Sequence, residues 1–148
     1  MCVLRVSGLE LDPYEFLASS SLEPAAVFVR GRPRLASRPD GPMHEESGIN
    51  WDVSDASWDQ LPSQVEDAIA FLKLNRAEIE RLVTHRGVTA VGLDFAVSRA
   101  VGGSAPRSQS VSFPAELLRL AGELGLDVSV STYFVDESDE ERGGGLAN

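Results

Sequence analysis

The sequence predicts an α+β fold: a mainly antiparallel sheet with helices packed on one face, in the element order β-α-β-β-α(broken)-β-β-α-β. Two observations carry this. Residues 49–54, 91–98 and 128–134 alternate apolar and polar side chains, the pattern of strands with one buried face, whereas parallel sheets covered on both sides read as continuous apolar runs. Between them lie segments with helix-start residues and apolar stripes at helical spacing. Helices therefore cover one face of the sheet and leave the other partly wet.

Residues 2–7 read as the first strand. Leu11-Asp12-Pro13-Tyr14-Glu15-Phe16 then starts a short helix, with Asp12 as N-cap, Pro13 at the first helical position, Glu15 closing a capping box and Leu11 with Phe16 as a staple. It runs to about Ser20. Residues 26–30 form a strand, and the Arg-, Pro- and Gly-rich residues 31–48 a long loop. In 49–54 the inner face is Ile49, Trp51 and Val53. Residues 63–86 resemble one helix, but Asn75 and Glu78 make a second capping box and Leu74 with Ile79 a second staple, so a break is expected near Asn75. Val65, Ile69 and Leu72 form the stripe before it; Ile79, Leu82 and Val83 form the stripe after it, and Gly87 ends the segment.

Val91, Leu93, Phe95 and Val97 face inward from the next strand, which reaches a turn at Gly102-Gly103-Ser104-Ala105-Pro106 and returns as a hairpin through Val111. Residues 114–124 form a helix with Leu117, Leu118, Leu120, Ala121 and Leu124 on its apolar side, stopped by Gly125. In the last strand, 127–135, Val128, Val130, Thr132 and Phe134 face one way and Ser129, Ser131 and Tyr133 the other. Residues 1–135 thus read as one domain and 136–148 as an acidic, then Gly-rich, flexible tail.

The chain has 148 residues, of which 43% are hydrophobic and 24% charged, enough to bury roughly two-thirds of the unfolded surface in one core. Thirteen basic against twenty-three acidic side chains leave a formal charge of -10, which repels phosphate backbones and anionic lipid and so argues against nucleic acid or a membrane surface as partner. Cys2 is the single cysteine, so no intrachain disulfide can form, and a reducing, cytoplasmic location is expected. The first residues lack the pattern of a signal peptide, and no apolar run approaches transmembrane length.

Strand parity sends Asn50, Asp52, Ser54, Asp94, Ser98, Ser129, Ser131 and Tyr133 to the side away from the helices. Two carboxylates among hydroxyls suit acid–base chemistry or a hard cation, although any half-covered sheet produces a solvated polar face. Arg30, Arg32, Arg34 and Arg38 form the one basic cluster. Guanidinium forks there suit a carboxylate or phosphate, the plainer alternative being pairing with Asp52 or Asp94; either way the loop is expected near the polar face. His44 reads as a loop residue and His85 as a helix C-terminal cap. No zinc spacing, nucleophile elbow, phosphate loop or dinucleotide fingerprint occurs, so no catalytic residue, metal ligand or cofactor is assigned. Trp51 reads as core, Trp58 as either an edge plug or a partner contact, and Cys2 as a buried strand residue.

Gly8, Leu11-Asp12-Pro13-Tyr14-Glu15, Gly31, Trp51 with Val53 and Ser54, and the closing segment from Ala115 to Tyr133 together resemble the bacterial domain-of-unknown-function family 4279, over roughly residues 3–135. The family usually carries a proline near the place of Asn75, which agrees with a break there. The resemblance implies a single cytoplasmic domain and assigns no activity. The leading expectation is a protein-binding module that meets a basic protein partner, in the manner of an immunity protein. The alternative is a binder of a small anionic ligand or peptide, using the polar face under the arginine loop. A hydrolase or metal-assisted enzyme built on Asp52, Asp94 and a histidine comes last.

Overall fold

The computed structural model describes residues 1–101 and 110–136. In chain order the elements are β1 (Cys2–Gly8), α1 (Pro13–Leu17), β2 (Ala26–Phe28), β3 (Ser47–Ser54), α2 (Leu61–Leu74), α3 (Arg76–Val83), β4 (Ala90–Val101), α4 (Ala115–Glu123) and β5 (Asp127–Asp136). The strands form one sheet in the order β2-β3-β1-β4-β5. The fold is α+β with a mostly antiparallel sheet: β1 is antiparallel to β3 and to β4, β2 is antiparallel to β3, and β4 with β5 is parallel.

The parallel pair corrects one expectation. Instead of a hairpin returning through Val111, β4 connects through α4 to β5, and two strands joined by a crossover helix run the same way. The lanes on either side of β4 are occupied by β1 along residues 90–95 and by β5 along residues 92–101. Residues 110–114 form no strand, and the turn expected at Gly102–Pro106 lies outside the described residues, as does the tail from residue 137.

Apolar residues of inward parity bind the layers together. Cys2, Leu4 and Val6 of β1, Ile49 and Trp51 of β3, and Leu93 and Phe95 of β4 pack with Phe16, Leu72, Ile79, Leu82 and Leu117 from the four helices. α1 begins as its sequence requires, with Asp12 Oδ1 accepting from the N–H groups of Tyr14 and Glu15 at 3.0 and 3.3 Å. Phe16 is then delivered edge-on to Trp51, ring centroids 6.1 Å apart, and to His85 at 5.3 Å. The Arg81 guanidinium lies 4.4 Å from the Phe16 ring centroid and donates to Glu78 and to Ser19 Oγ. Those Arg81 donors, with Ser20 Oγ at 2.5 Å, hold the Glu78 carboxyl below its ordinary range. His85 is therefore a packing residue against Phe16, not a cap: its Nε2 is buried without a hydrogen-bond partner.

The long helical segment divides at Asn75, but not by the expected capping box. Asn75 Nδ2 donates backward to Phe71 O at 3.0 Å, and its own N–H does so at 2.9 Å. The side chain thus satisfies a carbonyl at the end of α2 and is withheld from the start of α3, while Glu78 is committed to Arg81 and Ser20. The staple fails too, since Leu74 is 85% exposed. In α4, Leu118 points to solvent while Leu117, Leu120 and Ala121 are buried.

A bulge between Cys2 and Val3 sets Cys2 opposite Ser54 and Val3 opposite Asp52. An extra residue in one strand reverses the parity beyond it. Ser54, expected on the polar face, is turned to the helix side, where its Oγ donates to Asp67 Oδ2 of α2 at 2.5 Å and accepts from Ala56 N. Nearby, fully buried Gln64 donates through Nε2 to Ser57 O and Ala96 O, each at 2.9 Å, and so pins the segment after β3 to β4.

Two glycines test this packing in opposite senses. A Cβ at Gly48 would stand 2.4 Å from Val6 O and 2.3 Å from the Phe28 ring, whereas one at Gly122 in α4 would meet nothing within 4 Å. Gly48→Ala is expected to destabilise by about 1–3 kcal/mol, and Gly122→Ala to stabilise by about 0.5–1 kcal/mol. Urea denaturation of both variants measures the two signs.

Candidate functional site

Directly opposed residues of neighbouring strands share a face, so the register assembles the polar side of the sheet in rows. Asn50, Arg5, Gly92 and Asp127 form one row; Asp52, Val3, Asp94 and Ser129 the next; Ala96 lies beside Ser131 and Ser98 beside Tyr133. Asp52, Asp94, Ser131 and Tyr133 are thus on one face, as their parity predicts, without Ser54.

Asp94 is the centre of this face. Its carboxylate receives Arg5 Nη2 at 2.6 Å, Ser131 Oγ at 2.8 and 2.9 Å, and Ser129 Oγ at 3.3 Å, and its side chain is almost wholly buried by them. Every partner comes from a strand adjacent to β4, so the cluster is a cross-strand clasp. Its oxygens are occupied by protein donors, which is the arrangement of a structural acceptor. Asp52, one strand beyond β1, is exposed and makes no hydrogen bond or ion pair among the described residues. Neither histidine hydrogen-bonds to either carboxylate, and the described residues contain no group of three or more His, Cys, Asp or Glu side chains able to hold a metal ion.

Arg5, not singled out from the sequence, is thus the cation that meets Asp94. Its outward parity in the middle of an otherwise uncharged strand was the available signal. Beside it, where Gly92 has no side chain, a shallow pocket of about 260 Å³ is lined by Arg5, Phe28, Asn50, Asp127 and Ser129.

At the other end of the face β1 stops and residues after β3 take over its lane. Ala96 N donates to Met1 O and Ser98 N to Trp58 O, at 3.0 and 3.1 Å, and the Met1 ammonium donates to Ala56 O. With Ser57 held by Gln64, the Trp58 ring is laid on Tyr133, centroids 4.5 Å apart and planes 17° apart. Trp58 is 40% exposed and Tyr133 41%, so the pair is a platform open to solvent. Phe134, of inward parity, is left outside the core at the end of β5 and is 67% exposed.

The arginine loop leans on the polar face only at its root. Ser7 Oγ donates to Glu46 at 2.7 Å, and His44 stacks on Phe28 at 4.8 Å, with Phe28 folded over Gly48. Backbone bonds from Gly31 N to His44 O, His44 N to Arg32 O and Arg34 N to Pro42 O, each 2.9 Å, make a small ladder of the loop. Arg34 reaches Glu45 at 3.8 Å and Met43 O at 3.2 Å. Arg30, Arg32 and Arg38 form no ion pair among the described residues, and no arginine of the loop pairs with Asp52 or Asp94. Arg32 and Arg34 instead line a pocket at the β2 edge with Tyr14, Phe28 and His44, while Arg34 and Arg38 border a smaller one. The loop is therefore no lid on the carboxylate cluster.

Cys2 is buried in the central strand. Burial pushes its thiol up to about 12.

A family model described as a domain of unknown function (DUF4279) matches residues 1–135. No curated protein and no solved structure matches the chain.

If Asp94 is a structural clasp, Asp94→Ala lowers stability by about 1–2 kcal/mol, allowing for half-exposed Arg5, while Asp52→Ala stays within about 0.5 kcal/mol of the parent. Equal urea midpoints for the two variants would contradict the clasp. Cys2 in the native protein should resist a disulfide reagent at about pH 8 and react fully once unfolded. Because its folded value is raised, the stability that burial confers is complete below the ordinary thiol value of 9.0 and falls as pH rises from there toward about 12. Cys2→Ala should flatten that alkaline decline.

Proposed function

The chain belongs to the DUF4279 family, whose description carries no activity, and on that premise we propose that it is an acidic protein-binding module that meets a basic partner at the β5 side of its sheet. The observation that carries this is the Trp58–Tyr133 stack. Rings as large as Trp51 and Phe95 are closed into the core, yet these two are left part-exposed, stacked and held in place by Gln64 and β4. Rigid aromatic surface of this kind supplies much of the binding energy at protein interfaces.

Three further features support the reading. The formal charge of -10 speeds encounter with a basic protein and rejects acidic ones. On the polar face Asp94 is engaged by Arg5, Ser129 and Ser131, which leaves Asp52 as surface charge for a partner. β5 is the terminal strand of the sheet among the described residues, and the outer edge of such a strand is a template for an added strand. A module of this type acts by occupying a surface, as an immunity protein does against a toxin. One buried cysteine suits a reducing compartment such as the cytoplasm, and no helix among the described residues is long and apolar enough to cross a membrane.

The test is capture from the source organism at low salt with the parent protein and with Trp58→Ala/Tyr133→Ala side by side. A stoichiometric complex with a basic protein, weakened roughly tenfold or more by the double variant and dissociated by high salt, is the expected result. A complex indifferent to both changes, or none at all, sinks the proposal.

A further inference from the structure

The pocket at the β2 edge is separate from the Trp58–Tyr133 platform and has a different chemistry. It encloses about 560 Å³ and is lined by Arg32 and Arg34 together with Tyr14, Phe28 and His44. We infer that it is a binding site for a small planar anion, a ring bearing a carboxylate or a phosphate.

Charge comes first. In a chain with thirteen basic and twenty-three acidic side chains, an anion is repelled by most of the surface, and two guanidinium groups on one pocket wall are the local exception. Neither is held in a close ion pair, and Arg34 commits only its Nε, to Met43 O at 3.2 Å. Arg32 makes no ion pair among the described residues, and the contact of Arg34 with Glu45 is 3.8 Å long, with that glutamate 89% exposed. Such a surface pair is worth little, so an incoming carboxylate or phosphate displaces Glu45 at small cost and gains a planar fork of donors.

The rings supply the second half of the specificity. His44 is stacked on Phe28 with planes 22° apart, and Phe28 is itself held over Gly48. Tyr14 is carried at the start of α1, next to the Asp12 cap, and is 64% exposed. Three aromatic side chains beside two arginines favour a flat ring over an aliphatic acid. The site is also prearranged. The backbone ladder between residues 31–34 and 42–44, and the bridge of Pro33 with Met43, fix the loop through its own backbone, which reduces the ordering cost of binding. The volume lies in the ordinary range of small-ligand sites, roughly 300–1,000 Å³.

Calorimetric titration with phenyl phosphate, benzoate and inorganic phosphate tests each part. Saturable binding of at least one of the two ring anions is expected, with inorganic phosphate several-fold weaker or silent; which ring anion binds better assigns the acidic group. Arg32→Ala/Arg34→Ala should weaken binding at least tenfold with an unchanged urea midpoint, since backbone bonds hold the loop. His44→Ala, which removes one ring and no arginine, should weaken the ring anion and leave inorganic phosphate as it was. No saturation by either ring anion, equal binding by the arginine variant, or inorganic phosphate binding as tightly as phenyl phosphate overturns the inference. Because Trp58 and Tyr133 take no part, loss of this site would leave the protein-binding proposal standing, and the reverse.

Discussion

The structure depends on the double pairing of β1. Among the described strands it alone pairs with both β3 and β4, with Val3 opposite both Asp52 and Asp94 and Arg5 opposite both Asn50 and Gly92. Without it the sheet divides into a β2–β3 pair and a β4–β5 pair, with α2, which packs on both β3 and β4, left to bridge them. Its alternation decides both sides of the sheet at once: Cys2, Leu4 and Val6 are the middle of the core, and Arg5 is the middle of the polar face. The register shift next to Cys2 lets Ser54 leave one side for the other to meet α2.

The chemistry of the outer face follows from the same centre. A carboxylate on β4 is flanked by an arginine on β1 and two serines on β5, so three neighbouring strands are tied on the side where no helix packs. The sheet is clamped by apolar packing beneath and by a charge-assisted cluster above. Side chains not drawn into this clasp are displaced to its margins, with the Trp58–Tyr133 stack at one end and the His44–Phe28 stack with its arginines at the other. Both margins carry aromatic rings, but one lies on β5, the last strand of the described sheet, and the other beside the chain's main basic cluster.

Much of this was legible in the sequence where the signal is local. The period-two alternation identified the polar face around Asp94, Ser131 and Tyr133, and Asp12-Pro13 marked the start of α1. What could not be read required knowing which segments are neighbours. Asn75 has two possible partners for one side chain, and only the packed helix shows that the backward carbonyl wins. Ser54 changes face because of a register shift in its pairing with β1, which its own pattern does not contain. Arg5 carries little signal of its own, because a single arginine in a strand gains meaning only when Asp94 is placed beside it. The loop arginines were noticed for their number, but their neighbours, Tyr14, Phe28 and His44, come from three separate parts of the chain.

The central place of β1 has a consequence for how the protein is made. Its two lanes are filled by strands that leave the ribosome at very different times, since β4 begins about ninety residues after β1. At ordinary elongation speeds that interval is on the order of ten seconds. During it the nascent chain holds a strand rich in core residues with one side still open, long after β3 has become available to close the other. That waiting edge, not the finished sheet, is the stage at which the polypeptide is most exposed to capture by chaperones or by another copy of itself.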